Sequence, residues 1–425
     1  MTDTTAPRGG FASRIGFVLA AAGSAVGLGN IWKFPYITGE YGGGAFVLVY
    51  LLCIAVVGLP LMYAELIIGR RGGSDVLGSL RKLTDGGGPV AAIISFLVGG
   101  MAVASGFLIL SFYSVVAGWA VYYAAAYAGF LELGEGEAMF NSLLGSKSSL
   151  PWHSAFMVLM PLLAAILAVM LVYVGVTGGL AASASFLFAP DFSKLSGDAV
   201  LEALGHAFFT LSLGMGAMVT YGSYLNSEVA VVRDGIIVAI LDTVIALVAG
   251  LVIFAVVFSH EGAEPGAGPG LVFITLPKLF VDMPGGQLFG LAFFVLLVFA
   301  AWSSAISLLE VVVAFLVDSL KVDRRLAALG AGLAIWTLGI WPATDASALD
   351  LLDNITTKYM LPIGGLGIAI AAGWLLSKED REAGFLSLGD HGALLARGWT
   401  VLIRYVTPVL VALVILNKLG VLGGE

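Results

Sequence analysis

The sequence predicts an all-α polytopic membrane protein, and three observations carry that reading. Hydrophobic residues fill 59% of the 425 positions and charged residues only 11%, against about 25% charged in an average soluble chain. Mean hydropathy is +1.01. The apolar residues also gather into long runs near the ~20 residues a helix needs to cross a bilayer. With 20 Lys and Arg against 28 Asp and Glu, a polar surface cannot be covered, so a soluble enzyme, a secreted disulfide scaffold and a disordered chain are excluded.

Taken in order, the runs are these. The first, 14–38, is interrupted by Ser24-Ala25-Val26-Gly27-Leu28-Gly29, and the second, 42–69, ends at Arg70 and Arg71. The turn sequence Thr84-Asp85-Gly86-Gly87-Gly88-Pro89 introduces the uncharged run 87–128. Then come 152–176, with Pro161 inside it, and 201–224, interrupted by Leu211-Ser212-Leu213-Gly214-Met215-Gly216. Run 235–259 holds one acid, Asp242. The Gly/Pro-rich stretch from Glu261 to Gly270 leads into 265–281, which reads as a lid-type loop with a short helix. The runs 286–317, 326–342, 355–376 and 398–416 complete the set.

Basic residues gather at alternate loops: Arg8 and Arg14, then Arg70, Arg71, Arg81 and Lys82, then Arg233, Lys321, Arg324 and Arg325, and finally Lys378, Arg381 and Arg397. These loops are assigned to the cytoplasm, which places the N-terminus inside. No basic n-region or cleavage site precedes the first run, so the first helix itself targets the chain. Lys147 and Lys194 then both fall outside, although 152–176 is long enough for one crossing only. A re-entrant pair at Pro161, or a split of 87–128 near Ser105-Gly106, would resolve the count. The net charge of −8 gives no support for nucleic-acid binding, and Cys53 stands alone in an apolar run, so no internal disulfide forms.

The two interrupted runs carry similar G-x-G elements, Gly27–Gly29 and Gly214–Gly216. Glycine-broken helices at corresponding places in two halves point to a transport site, because the break frees carbonyls for a cation and N–H groups for a carboxylate. Close packing at small residues explains either element alone; together, with polar neighbours, they favour a site. Asn30 offers either an oxygen to a hard cation or a helix-to-helix hydrogen bond. Asp242 lies within a span, where an ionised carboxylate costs at least ~2.5 kcal/mol and needs a partner. Glu65 is read as an anchor for free backbone N–H groups and Glu310 as interfacial. Ser303 and Ser304 either bond the preceding turn or face a cation. No zinc spacing, P-loop or G-x-S-x-G occurs, which leaves a protease or an ATP-driven pump without a motif.

The run Arg14–Pro35 (RIGFVLAAAGSAVGLGNIWKFP) resembles the first helix of the neurotransmitter:sodium symporter family, in its bacterial amino-acid branch. Further matches are Gly42-Gly43-Gly44-Ala45-Phe46, Gly58-Leu59-Pro60-Leu61-Met62 with Glu65, Pro190-Asp191-Phe192, Phe208 to Gly214, Phe273-Ile274-Thr275-Leu276-Pro277 and Arg404-Tyr405-Val406-Thr407-Pro408. The resemblance implies a leucine-transporter-type 5+5 inverted repeat with discontinuous first and sixth helices. One transporter domain would fill 1–425, with repeats at about 11–189 and 190–376 and an extra helix at about 398–416. It implies two sodium sites and no organic cofactor. One site would use Ala25, Asn30, Thr210, Asp242 and the substrate carboxylate; the other would use Gly23, Val26, Ala300, Ser303 and Ser304. The carboxylate would meet the N–H groups of Leu28 and Gly29 and the Tyr113 hydroxyl, and the substrate side chain would face Ile109, Phe209, Ser212, Met215 and Leu308. The partners implied are a small neutral amino acid and the lipid bilayer of a bacterial inner membrane.

Departures from the family refine this expectation. Asp242 replaces an asparagine and Ala246 a glutamate of the branch, so Asp242 supplies the negative charge that animal members take from chloride, and chloride independence is expected. Met215 stands where a bulky aromatic is usual, and a flexible thioether admits larger, even aromatic, substrates. Lys33 replaces the outer-gate arginine opposite Asp353, Arg8 and Asp318 match the inner gate pair, Phe11 replaces a tryptophan and His206 a glutamine. Trp152–Met157 resembles the start of the fourth helix and Met160–Val176 the body of the fifth, so most of the fourth helix and the basic loop after it are expected to be missing. The function expected is sodium-coupled uptake of a hydrophobic amino acid; the alternative is a non-transporting, sodium-dependent amino-acid sensor.

Overall fold

The computed structural model describes residues 13–85, 88–132, 136–143, 163–177, 179–225, 230–260, 265–266, 268, 270–385, 389, 391–418 and 421. Among them, seven helices are long and apolar enough to cross a membrane, and two bent pairs raise that to nine. The first bent pair is α1 (Arg14–Ala25) with α2 (Gly29–Glu40), turned by 46°. Val26 leaves helical geometry at φ −70°, ψ 109°, so the run divides at the glycine-rich element.

The helix α3 (Gly44–Gly72) relaxes into a wide π-type turn at Ile54–Gly58. This turn directly precedes Pro60, whose missing N–H and bulky ring disturb the ladder. Gly73, at φ 55°, ends the helix in the left-handed region. Asp75 then caps α4 (Val76–Thr84) by accepting from the Leu77 and Gly78 N–H groups. The 40-residue α5 (Gly88–Tyr127) is one uninterrupted helix, so the split near Ser105-Gly106 does not occur. The Ser105 hydroxyl merely donates to the Met101 carbonyl one turn back, at 2.8 Å.

After α6 (Gly136–Leu143) come α7 (Leu163–Thr177) and α8 (Leu180–Phe188). The chain bends by 110° between the last two. Gly179, at φ 80°, makes this corner; a Cβ there would fall 2.1 Å from the Ala255 carbonyl oxygen. The sequence reading ended its fourth run at 176 and missed α8, which is too short to register as a span. The proposed missing fourth helix, with Lys147, Trp152–Met157 and Pro161, lies outside the described residues.

The second broken span is α9 (Gly197–Thr210) and α10 (Ala217–Gly222), separated by 211–216. Ser212, Gly214 and Gly216 all take positive φ there, at 54°, 80° and 78°. A Cβ on Gly214 would meet the Leu361 carbonyl oxygen at 2.3 Å, so backbone packs on backbone and only glycine fits. The long α11 (Val231–Phe258) follows. A wide turn at Leu271–Thr275 then leads into α12 (Leu276–Asp282), the short helix expected at 265–281. It is tied to α5 by two hydroxyls, Tyr123 donating to the Phe273 carbonyl at 2.5 Å and Tyr127 to that of Pro277 at 3.2 Å.

The remaining helices are α13 (Gly286–Asp318), α14 (Arg324–Thr344), α15 (Ala346–Leu375), the short α16 (Lys378–Ala383) and α17 (Gly392–Asn417). The pair α5 and α13 packs most extensively, and α1 lies against both α11 and α13. Leucine, isoleucine and phenylalanine side chains such as Leu97, Phe96, Leu329 and Leu333 stay exposed on the outer faces, as a lipid-facing surface requires. The broken spans are thereby held at the centre, where their free backbone groups meet protein.

Candidate functional site

The break between α1 and α2 faces the break between α9 and α10, and polar groups of α5, α11 and α13 converge on both. Asp242, fully buried on α11, accepts from Asn30 Nδ2 at 2.7 Å and from the Thr210 hydroxyl at 3.0 Å. Asn30 also donates to Thr210 Oγ1 at 3.2 Å and to the Asp242 carbonyl at 3.0 Å, while its Oδ1 accepts the Gly27 N–H at 2.9 Å. The carboxylate is therefore met by an amide from the first break and a hydroxyl from the second. Three expected sodium ligands, Asn30, Thr210 and Asp242, stand within one hydrogen-bond network. In this state Asn30 turns its amide nitrogen, rather than its oxygen, toward Asp242.

Five residues expected around a second cation also come together. Ser303 and Ser304 both lie within reach of the Val26 carbonyl, at 3.3 and 3.1 Å, and Ser303 also reaches that of Ala300, at 3.0 Å. A Cβ on Gly23 would stand 3.4 Å from Ser303 Cβ, so α1 and α13 approach closely here. The Ser24 carbonyl joins them, accepting from Ser304 at 3.1 Å and from Ser212 at 2.9 Å. Carbonyl oxygens thus outnumber the hydroxyl protons of Ser303 and Ser304 that reach them. Such an all-oxygen set suits a hard cation. Among the described residues, no cluster of three His, Cys, Asp or Glu suited to a softer metal occurs.

Between the two groups lies a narrow cavity lined by Ile109, Phe209, Ser212, Met215 and Leu308 with the backbone near Ala25 and Gly29. Tyr113 projects into it from α5 and accepts the Leu28 N–H at 3.1 Å. A Cβ on Gly27 would fall 2.3 Å from Ser304 Oγ and 2.7 Å from Tyr113 Oη. The polar lining of the cavity is therefore backbone of the first break with the hydroxyl residues Ser24, Tyr113, Ser212 and Ser304. Its other walls are apolar. A polar vestibule that includes Lys33, Glu202 and Asp353 lies nearby, and Lys33 Nζ sits 4.9 Å from the centre of the Phe209 ring of the cavity wall.

Among the described residues, no ion pair joins Lys33 to Asp353 in this state, although both line the vestibule. At the opposite end, Arg14 Nε meets the buried Asp234 at 2.6 Å, and the Asp75 N–H donates to Asp318 at 2.8 Å. Arg8 and Phe11 lie outside the described residues. Glu65 accepts the Gly214 N–H at 2.7 Å, satisfying a donor that the second break frees. Glu310 accepts from Tyr224 at 2.5 Å and from Arg324 at 2.7 Å, which ties it to a neighbouring helix end. Sequence reasoning did not assign Gly27 to the cavity wall, nor Ser24 and Ser307, whose hydroxyls pair at 2.8 Å. Backbone carbonyls leave no side-chain mark, and only the spacing of Ser307 one turn beyond Ser303 and Ser304 hinted at it.

This geometry agrees with the comparisons to known proteins. The model of the sodium:neurotransmitter symporter family matches residues 8–135 and 149–422. The chain belongs to that family. It is 35% identical to the uncharacterized sodium-dependent transporter YhdH of Bacillus subtilis, over 97% of this chain and 98% of that protein. It is 30% identical to an uncharacterized sodium-dependent transporter of Haemophilus influenzae, over 99% and 100% of the two. Among solved structures, MhsT in complex with L-phenylalanine matches with a TM-score of 0.85 and 39% identity, covering 97% of this chain and 100% of that one. As a member of the sodium:neurotransmitter symporter family, the chain is a multi-pass membrane transporter and not an enzyme. The aligned lengths of 449 and 469 residues exceed the 425 of this chain, so both alignments open gaps in it.

Proposed function

We propose that this chain couples sodium to the uptake of a neutral, hydrophobic L-amino acid, aromatic ones included, without need of chloride. The observation that carries this reading is the cavity whose polar lining is backbone of the first break and hydroxyls and whose other walls are Ile109, Phe209, Met215 and Leu308. An amino acid carries a carboxylate that suits the Leu28 and Gly29 N–H groups and the Tyr113 hydroxyl, and an apolar side chain that suits the rest. MhsT, similar over nearly the whole chain, was solved with L-phenylalanine, which supports the aromatic end of that range. Sodium is a co-substrate held by two sets: Ala25, Asn30, Thr210 and Asp242, and Gly23, Val26, Ala300, Ser303 and Ser304. Asp242 contributes a fixed negative charge, which is the ground for chloride independence. Residues 11–189 and 190–376 serve as the two repeats, with α17 as an additional helix, in a bacterial inner membrane with the N-terminus inside.

The test is uptake into proteoliposomes under a sodium gradient, with the neutral amino acids screened one at a time and chloride replaced by gluconate. Sodium-dependent, gluconate-tolerant accumulation of phenylalanine, leucine or a similar side chain is expected. No accumulation, with sodium still raising amino-acid affinity, would overturn transport and support a sodium-dependent sensor. The alignment gaps favour that second reading, in keeping with the expectation that most of the fourth helix is missing.

A further inference from the structure

Outside the central site, the most built feature is a pair of joined depressions on the side where Arg70, Arg71 and Arg81 cluster. The first is an apolar groove between α3, the start of α11 and α17, with Leu59, Tyr63, Ile236, Leu394 and Leu402 in its walls. The second is a smaller socket between α16 and α17, holding Lys378, Arg381 and Arg397 against one acid, Glu382. Arg397 and Val401 line both, so the apolar groove runs directly into the basic socket.

The two halves are held in place by specific contacts. The Trp399 indole donates to the Pro60 carbonyl at 2.9 Å, pinning α17 to α3 at the floor of the groove. Arg381 Nη1 donates to the Leu376 carbonyl at 2.5 Å, which orients its guanidinium at the socket. Glu382 meets Lys378 at only 3.8 Å, with both largely exposed, and neighbouring Asp380 is taken by Arg71 at 3.0 Å. Among the described residues, Arg397 makes no hydrogen bond or ion pair. Among the described residues the socket therefore holds three basic side chains to one acid, at the mouth of an apolar groove. Leu394 is 70% and Val401 54% exposed, in a span that faces lipid more than any other long helix described.

We propose that this composite is a binding site for an anionic glycerophospholipid, with its phosphate in the Lys378–Arg381–Arg397 socket and an acyl chain along the groove. Charge complementarity selects the anionic headgroup, and continuity with the apolar groove selects a lipid over a free anion. A basic pocket between spans at the headgroup level is the form such recognition takes. Bound there, the lipid braces α17 against α3, the helix that carries Glu65.

The experiment uses the full chain purified in detergent, read by native mass spectrometry and by thermal melting, with dioleoyl-phosphatidylglycerol against dioleoyl-phosphatidylcholine. The expected result is retention and thermal protection by phosphatidylglycerol at no less than tenfold lower concentration. Arg397→Gln should cut that preference about fivefold, the value of one basic residue near an anionic headgroup. Gly398→Leu keeps the test independent of misfolding. No atom lies within 4 Å of a Cβ at Gly398, and leucine favours the helix, so this variant should fill the groove and weaken both lipids while leaving the protein folded. Equal retention of the two lipids by the native chain would overturn the proposal, as would an unchanged preference in Arg397→Gln. Displacement of phosphatidylglycerol by millimolar inorganic phosphate would also overturn it, in favour of a free-anion site.

Discussion

At the scale of single residues, Asp242 is the most informative position. Its carboxylate is fully buried, and it is held by Asn30 and Thr210 from the two breaks. Hydrogen bonds to a charged group are worth about 1.5–3 kcal/mol each, so Asp242→Ala should weaken the sodium dependence of amino-acid binding by about 10- to 100-fold. Scintillation-proximity titrations with sodium against potassium measure this, and added chloride should restore part of the loss by replacing the missing charge. Unchanged sodium dependence would remove Asp242 from the site. Asp242, Asn30, Thr210, Ser303 and Ser304 were legible in the sequence because a polar side chain in an apolar run must answer for its desolvation. Gly27 and the Ser24 carbonyl were not, since their contribution is backbone and space, which composition does not record.

At the scale of elements, the breaks themselves were legible, because glycine pairs in otherwise helical runs signal backbone that cannot continue. What supports the second break was only half legible. Glu65 could be seen as an acid in a span, but its partner, the Gly214 N–H 149 residues away, is set by the packing of α3 against α10. Glu65→Ala leaves that buried N–H unpaired and should cost about 1–3 kcal/mol, while Glu65→Gln keeps an acceptor and should cost less. Thermal melting of the two variants in detergent checks the order, and equal melting would show that Gly214 finds another acceptor. The corner between α7 and α8 was illegible for a different reason. A 110° turn on one glycine that passes close to the Ala255 carbonyl depends on the neighbouring helix, and no local pattern encodes a neighbour.

At the scale of the whole molecule, the two ends of the central cavity are in different states. On one side the vestibule reaches Lys33 and Asp353, and Lys33 lies over the ring of Phe209, which lines the cavity. On the other, the start of α1 is tied to α11 by Arg14 and the buried Asp234 at 2.6 Å. Among the described residues, an ion pair thus seals the end at Arg14, while none joins Lys33 to Asp353. Alternating access requires the seal to break without unfolding the site, so Arg14 is expected to set the balance between states rather than binding itself. Arg233 also reaches the buried Asp234, at 3.6 Å, so removing Arg14 takes away the shorter of two ion pairs and weakens the compensation of that carboxylate. Arg14→Gln should therefore populate the opposite-facing state several-fold more, each 1.4 kcal/mol lost at the seal being tenfold in that equilibrium. Hydrogen exchange over Arg14–Ala25 reads this directly: sodium should slow exchange strongly in the native chain and weakly in the variant. If exchange there is the same in both, with and without sodium, Arg14 and Asp234 form a static contact, and the seal must be sought at Asp75 and Asp318 instead.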